Sequence, residues 1–159
     1  MKRPKRRKPA IATNLTGEAG AHFVACELSR RGAMVLPTTR NTKGFDLVCL
    51  NSDGREFFAV VQVKSSYARP GFFLANAPPA DARQNFFYAF VRLSTDPPKG
   101  RPPLKPLEAF IVSAPKVLEN YDPGGPKGEW ASWIVPKSEE EQSNYLNRWD
   151  LILDCLHCA

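Results

Sequence analysis

The distribution of apolar and polar residues predicts a helix, a run of strands and a second helical region. The segment "LTGEAGAHFVACELSRRG" carries apolar residues at helical spacing, with Thr16 as the predicted N-cap and Gly32 just beyond the end. Six short runs rich in β-branched and aromatic residues predict strands. They are "AMVLPTT", "FDLVCL", "FFAVVQVKSS", "NFFYAFVRL", "EAFIVSA" and "SWIVPK", the last of which is either a short strand or an extended piece. This order of elements predicts a single domain of the α+β or α/β class.

The end of the chain, "SEEEQSNYLNRWDLILDCL", predicts a helix or a helix pair. Ser138 is the predicted N-cap and Glu141 completes a capping box. Apolar residues at helical spacing follow at Tyr145, Trp149, Ile152 and Leu153. Residues 67–84, the proline-rich "STDPPKGRPPLKP" and "YDPGGPKGEW" are predicted to be loops.

One predicted strand, "FFAVVQVKSS", is interrupted by an amide and an ammonium group, Gln62 and Lys64. Residues two apart on a strand point to the same side, so these two share a face with Phe58 and Val60. The opposite face, predicted to lie against the core, carries Phe57, Ala59, Val61 and Val63. Two interpretations remain open: an edge strand whose polar side chains lie in water, or a catalytic face.

The turn before this strand predicts which residues share that face. A three-residue loop, Ser52-Asp53-Gly54, is a common hairpin connection with glycine in the left-handed position. It would set Asn51 opposite Arg55, and Asp46 opposite Val60 on the face of Gln62 and Lys64. A two-residue loop would move Asp46 to the other face.

Composition narrows the class of protein. The chain has 159 residues, of which 43% are hydrophobic, which suits one globular domain with a real core. Its apolar runs are far too short to cross a bilayer. The basic N-terminus lacks the apolar segment of a secretory signal, so we expect an intracellular, cytoplasmic protein.

The net charge of +6 is concentrated at the N-terminus. Six basic residues fall within residues 2–8; without them, 16 of the 22 basic residues remain against 16 acidic ones. We predict a flexible basic arm over residues 1–14 and a single domain over residues 15–159. Such an arm suits a polyanion such as DNA, although it could also be a solubilising tail or a cloning remnant. The arm residues are Lys2, Arg3, Lys5, Arg6, Arg7 and Lys8.

Four cysteines offer a weaker signal, since an intracellular setting argues against disulfides. Cys155 and Cys158, in "CLHC", have the spacing of half a zinc site, but no second Cys or His pair stands at a matching spacing. Thiols that pack a helix are the favoured interpretation.

An acidic residue in the first helix joins the polar set on the strands. Glu18 precedes Ala21 by three residues and Ala25 by seven, which places it at one end of the apolar stripe. A glutamate in a predicted first turn would also favour the helix dipole.

These residues together resemble a known family of nucleases. "GE" at 17–18, "GFD" at 44–46 and "QVK" at 62–64 resemble the PD-(D/E)XK superfamily, also called restriction-endonuclease-like, and in particular its Holliday-junction-resolvase-like branches. The resemblance spans at least residues 16–66. It implies a restriction-endonuclease-like core, a mixed central β-sheet flanked by helices, and a metal-dependent endonuclease that hydrolyses DNA phosphodiester bonds.

The resemblance also implies roles for individual residues. Asp46 would be the main ligand of Mg²⁺ or Mn²⁺, joined by the side-chain oxygen of Gln62 and the backbone carbonyl of Val63. Lys64 would orient the attacking water and stabilise charge at the phosphate. Glu18 would bind a metal through water or take a second ion. Further candidates for contacts with nucleic acid are Arg40, Lys43, Ser65 and Ser66.

Two positions depart from the family pattern. Gln62 stands where most members have Glu or Asp, and Phe45 stands where the family's name has proline. Three functions therefore remain open: an active endonuclease, which leads; a nucleic-acid-binding module that keeps the fold without cleavage; and a structural protein unrelated to nucleic acid. Because cutting both strands usually takes two active sites, a homodimer is also expected.

Overall fold

The computed structural model describes residues 10–39, 44–52, 58–67, 71–74, 79, 83–94, 106–124 and 130–157. Eight strands and four helices are found in this part of the chain. The strands are β1 (Met34–Pro37), β2 (Leu47–Leu50), β3 (Phe58–Tyr67), β4 (Gly71–Phe73), β5 (Phe86–Ser94), β6 (Glu108–Ser113), β7 (Tyr121–Gly124) and β8 (Trp130–Ile134). The helices are α1 (Ala10–Ser29), α2 (Ala114–Asn120), α3 (Glu139–Ser143) and α4 (Asp150–His157).

Five strands form the central sheet, in the order β1-β2-β3-β5-β6. β3 and β5 run parallel, whereas the other neighbours are antiparallel, so the sheet is mixed. β3 is therefore the middle strand, and the interpretation of "VVQVKSS" as part of an edge strand is wrong. A second sheet of three strands has the order β4-β8-β7.

The hairpin between β2 and β3 differs from the predicted one. Leu50 pairs with Phe58 and Leu47 pairs with Val61. The predicted pairing of Asp46 with Val60 is thus wrong by two residues, since a pair between Leu50 and Phe58 does not fit a turn that sets Asn51 opposite Arg55. A shift of two residues preserves the face on which every side chain lies. The turn itself falls partly outside the described residues.

The two faces of the central sheet support separate apolar cores. On one face, Val24 and Leu28 of α1 and Ile152 and Leu156 of α4 pack against alternate residues of the strands, such as Val61. On the other face, β4, β8 and α2 cover Phe86, Tyr88 and Phe90 of β5, among others. Helices flank the sheet as the sequence predicts, and the second sheet was not anticipated.

The first helix begins earlier than predicted. α1 starts at Ala10, so Thr16 lies inside the helix and is not its N-cap, and Glu18 is not in its first turn. Ala and Leu favour helix, which is consistent with helical structure before Thr16. The apolar stripe is confirmed at Val24 and Leu28, which are fully buried. Residues 1–9 of the predicted arm lie outside the described residues.

Two predicted loops contain strands, and the C-terminal region is a helix pair. β4 lies within residues 67–84, and β7 lies within "YDPGGPKGEW". Ser138 caps α3, since its hydroxyl oxygen accepts from the N–H of Glu141 at 3.2 Å. Tyr145 is not helical as predicted: its carbonyl accepts from the N–H of Ile111 at 2.8 Å, so the chain pairs with β6 here. None of the described helices has the length and apolarity needed to span a bilayer.

Candidate active site

Asp46 is fixed at the point where β2 begins. Its backbone N–H donates to the carbonyl of Val61 at 2.9 Å, and its own carbonyl accepts from the N–H of Thr38 at 2.9 Å. Its carboxylate Oδ2 accepts from the backbone N–H of Val63 at 2.6 Å. Extending the β2–β3 register by one residue places Asp46 opposite Gln62, between these two contacts on β3. The residue is exposed, so its carboxylate is accessible to a ligand.

Gln62 and Lys64 lie beside a row of aromatic residues. The parallel register of β3 and β5 pairs Val60 with Phe86, Gln62 with Tyr88, and Lys64 with Phe90. The rings of Phe86, Tyr88 and Phe90 stack along β5, with centroids 5.2 and 5.6 Å apart. The polar residues of β3 are therefore bounded on one side by a continuous aromatic surface. Burial in this surface raises the pKa of the Tyr88 phenol to about 12.

Lys64 is partly buried, and its charge interacts with Asp46. Loss of water around the ammonium group lowers the pKa of Lys64, while the nearby carboxylate of Asp46 acts in the opposite direction. The β2–β3 register sets Asp46 opposite Gln62, so Lys64 is its diagonal neighbour on β3. The structure thus brings Asp46, Gln62 and Lys64 together, as predicted from strand alternation.

Glu18 lies on α1, which packs against the opposite face of the sheet. Two residues further along α1, Gly20 approaches β3 so closely that a Cβ there would lie 1.7 Å from Oγ of Ser65. The Glu18 carboxylate is half-exposed and stands 3.9 Å from the imidazole of His22. A role for Glu18 beside Asp46 stays a prediction.

The predicted contacts with nucleic acid fall in different places. The hydroxyl oxygens of Ser65 and Ser66 are both buried and have no hydrogen-bond partner among the described residues. Neither could reach a phosphate without a change in conformation. Arg40, Lys43 and the basic arm residues 2–8 lie outside the described residues.

Sequence reasoning missed the residues that β5 and β6 contribute to this face. Arg92 lies two residues beyond Phe90 and pairs in register with Ser66. It forms an ion pair with Glu108 at 3.0 Å. The signal was present in "FFYAFVRL", where an arginine interrupts an apolar strand as Lys64 interrupts β3. Its position beside β3 could not be known, because residues 68–85 separate the two strands.

The donor set fits a single hard cation more closely than a multi-carboxylate centre. Among the described residues, no three Asp, Glu, His or Cys side chains stand close enough to share a metal ion. Mg²⁺ commonly takes one or two carboxylates and completes its shell with waters and phosphate oxygens. The exposed Asp46 carboxylate, the Gln62 amide oxygen and the Val63 carbonyl are of the right chemical type.

The cysteines offer no metal centre in the described part of the chain. Cys49 is buried, and burial raises the pKa of its thiol to about 12. Cys155 is half-buried on α4, as expected of a thiol that packs a helix, and Cys158 lies outside the described residues.

The mixed five-stranded sheet and its flanking helices define an α+β protein. A solved bacterial homing endonuclease, I-Ssp6803I, has a similar structure, with a TM-score of 0.52. The match covers 89% of this chain and 92% of that chain, at 15% sequence identity, so the likeness is one of fold. No protein-family model matches the sequence, and no curated protein matches it.

Proposed function

We propose that this protein is a metal-dependent endonuclease of the PD-(D/E)XK type, which hydrolyses phosphodiester bonds of DNA. The observation that carries the proposal is the position of Asp46, whose carboxylate is held at 2.6 Å by the backbone between Gln62 and Lys64. The nuclease-like fold supports the same reaction class. A solvated strand face would not need a carboxylate fixed in this way.

Asp46, Gln62 and the Val63 carbonyl would hold one Mg²⁺ or Mn²⁺ ion. When bound, the ion would supply a water of lowered pKa and polarise the phosphate. The hydrogen bond from Val63 restricts the rotation of the Asp46 carboxylate, so less entropy is lost when it engages a ligand. The Lys64 ammonium, partly shielded from water, would place a positive charge beside a non-bridging phosphate oxygen, where charge develops during hydrolysis.

The test is a nicking assay on supercoiled plasmid with and without Mg²⁺. Asp46→Asn and Lys64→Met should each reduce the rate by at least about a hundredfold. Matched controls are Asp122→Asn on β7 and Lys137→Met, both exposed residues remote from the β2–β3 junction along the chain. Equal rates for wild type and all four variants would refute the proposal.

A second candidate function is favoured by Gln62 itself. A neutral amide in place of a carboxylate weakens attraction for a cation, so the same fold could serve as a DNA-binding module without cleavage. This candidate predicts DNA binding without nicking in either Mg²⁺ or Mn²⁺. In both cases we propose that DNA is the partner, that the basic arm adds affinity, and that a homodimer forms when two strands are cut.

A further inference from the structure

Arg92 is an unusual residue for the interior face of a central sheet. It sits on β5, between the parallel partner β3 and the antiparallel partner β6, and it follows the aromatic row Phe86, Tyr88 and Phe90 on the same face. Its side chain is 21% exposed, so the guanidinium is at the rim of the second core. A cation in this position needs either a structural partner or a ligand.

Two neighbours orient the Arg92 side chain. Glu108, its partner across β5 and β6, accepts from Nη1 at 3.0 Å. The guanidinium carbon lies 5.2 Å from the centre of the Phe110 ring, so an aromatic face supports the group. Among the described residues, Glu108 is the single hydrogen-bond partner of the guanidinium. The other N–H groups of the guanidinium are therefore available to a ligand.

The Arg92 side chain leans toward β6, on the side of β5 away from β3. Phe110 pairs with Phe90, and Phe90 pairs with Lys64, so these three residues form one row across three strands. Phe110, over which the guanidinium lies, is two strand spacings from Lys64, or about 10 Å. The half-exposed carboxylate of Glu108 can turn away into solvent, since 42% of its side chain is accessible.

We propose that Arg92 is a second phosphate-binding group of this site, which contacts a non-bridging oxygen of the DNA backbone next to the phosphate at Lys64. The inference rests on the proposed function. Glu108 holds the guanidinium in the free protein, and a phosphate replaces or joins it when DNA binds. Arginine suits this role because its planar fork donates two parallel hydrogen bonds to a phosphate. Ser66, beside Arg92 in register, has its hydroxyl buried, so the hydrogen-bond donor that reaches solvent at this level is the Arg92 guanidinium and not this hydroxyl.

The competing explanation is that Arg92 and Glu108 form a cross-strand ion pair with a purely structural role. The two explanations differ in what removal of Glu108 does. If the pair is structural, Arg92→Gln and Glu108→Gln should lower stability alike and leave DNA binding unchanged. If Arg92 binds phosphate, Arg92→Gln should weaken DNA binding, while Glu108→Gln releases the guanidinium and should strengthen it.

The experiment measures the affinity of the full chain for a labelled DNA duplex at several salt concentrations, with Ca²⁺ in place of Mg²⁺ to prevent cleavage. Arg92→Gln should raise Kd by roughly tenfold or more, the range expected for a lost charged hydrogen bond. It should also reduce the slope of log affinity against log salt by about one phosphate contact. Arg92→Lys keeps the charge but loses the planar fork, so the DNA affinity of this variant should lie between that of wild type and that of Arg92→Gln.

A matched control is Arg148→Gln. Arg148 also pairs with a carboxylate, that of Asp150 at 2.6 Å, but it stands before α4, which packs on the opposite face of the sheet. This control should leave Kd and the salt slope at wild-type values. Thermal unfolding of each variant shows whether it is folded. If Arg92→Gln does not fold, the DNA affinities of Arg92→Lys and Glu108→Gln decide whether Arg92 binds phosphate.

The outcomes separate this inference from the proposed function. Wild-type protein that neither binds nor cuts DNA overturns both. Wild-type binding combined with an unchanged Kd and salt slope for Arg92→Gln and Glu108→Gln overturns the role of Arg92 alone. Weaker binding by Arg92→Gln together with stronger binding by Glu108→Gln supports it, whether or not the protein cuts.

Discussion

The carboxylate of Asp46 accepts a hydrogen bond of 2.6 Å from the backbone N–H of Val63. This bond joins the start of β2 to the part of β3 that carries Gln62 and Lys64. It leaves the second carboxylate oxygen for other partners, and it fixes the distance between Asp46 and the two polar side chains. The arrangement leads to predictions that do not depend on knowing the preferred DNA.

Replacing Gln62 with glutamate should tighten metal binding. The register places Gln62 opposite Asp46, so a second carboxylate would join the first at the same ion. We expect Mn²⁺ affinity, measured by calorimetry, to rise by about tenfold or more, in line with a charged ligand replacing a neutral one. If the wild type nicks DNA, the variant should do so at lower Mg²⁺ concentration.

The control for this change is Gln84→Glu, which adds the same charge at an exposed residue before β5. It should leave metal affinity unchanged. Cleavage gained by Gln62→Glu in a protein that is otherwise inactive would identify a nuclease that has lost its activity but kept its binding role. Unaltered Mn²⁺ affinity would argue against a metal at Asp46.

The stability of the protein should depend on pH through Lys64. Burial lowers the pKa of this residue below its ordinary 10.5, so between the folded-state pKa and 10.5 the unfolded chain binds more protons than the folded one. Stability then rises with pH across this window. The unfavourable contribution of Lys64 is complete below the folded-state pKa and shrinks above it.

The measurement is denaturant unfolding of wild type and Lys64→Met at several pH values from 7 upwards. The variant should be the more stable protein at neutral pH, and the difference should narrow as the solution becomes alkaline. Asp46→Asn removes the negative charge that raises the pKa of Lys64, so it should lower this pKa further. The increase of stability with pH should then begin at a lower pH. A difference that is constant with pH would mean that Lys64 is solvated.

Gly20 should not tolerate a side chain. A Cβ at this position would lie 1.7 Å from Oγ of Ser65 and 2.9 Å from its Cβ, so β3 or α1 must move. We expect Gly20→Ala to reduce the free energy of unfolding by about 1–3 kcal/mol, the usual effect of overpacking. Denaturant unfolding of purified variants gives this value.

Gly17→Ala provides the control within the same helix. Nothing lies within 4 Å of a Cβ at Gly17, so the change should stabilise the protein by up to about 1 kcal/mol through helix propensity. In the double variant Gly20→Ala/Ser65→Gly, the colliding side chain is absent and much of the loss should be recovered. If Gly20→Ala alone is neutral, the close approach of α1 to β3 is wrong.

Deleting residues 1–8 should weaken DNA binding at all sequences to a similar degree. The six basic residues of this segment account for the whole net charge of +6. Their loss should flatten the dependence of affinity on salt by up to about six phosphate contacts. A chain of full length with these six residues changed to glutamine should behave like the deletion. Affinity and salt slope equal to wild type would show that the arm does not contact DNA.

Local patterns in the sequence determined six of the eight described strands, the N-cap of α3 and the polar face of β3. Side chains alternate along a strand, so Gln62 and Lys64 had to share a face wherever β3 lay in the fold. The predicted pairing was wrong by two residues. Because a shift of two residues leaves every side chain on the same face, the predicted face of Asp46 is still correct. Ser138 and Glu141 are three residues apart, within one helical turn, so their hydrogen bond was also predictable from local sequence.

Only the tertiary structure decided what stands beside these residues. The parallel pairing of β3 with β5 depends on a long crossover, and it brings Tyr88 to Gln62 and Phe90 to Lys64. Burial in the folded structure, which the sequence near Lys64 does not reveal, lowers the pKa of its ammonium group. Contacts between residues distant in the chain also pack Gly20 on β3 and pair Arg92 with Glu108. The burial of the Ser65 and Ser66 hydroxyls depends on the tertiary structure in the same way. Strand periodicity fixes the side of the sheet to which a residue points, whereas the neighbours that β3 acquires on β5 come from a pairing that no local pattern encodes.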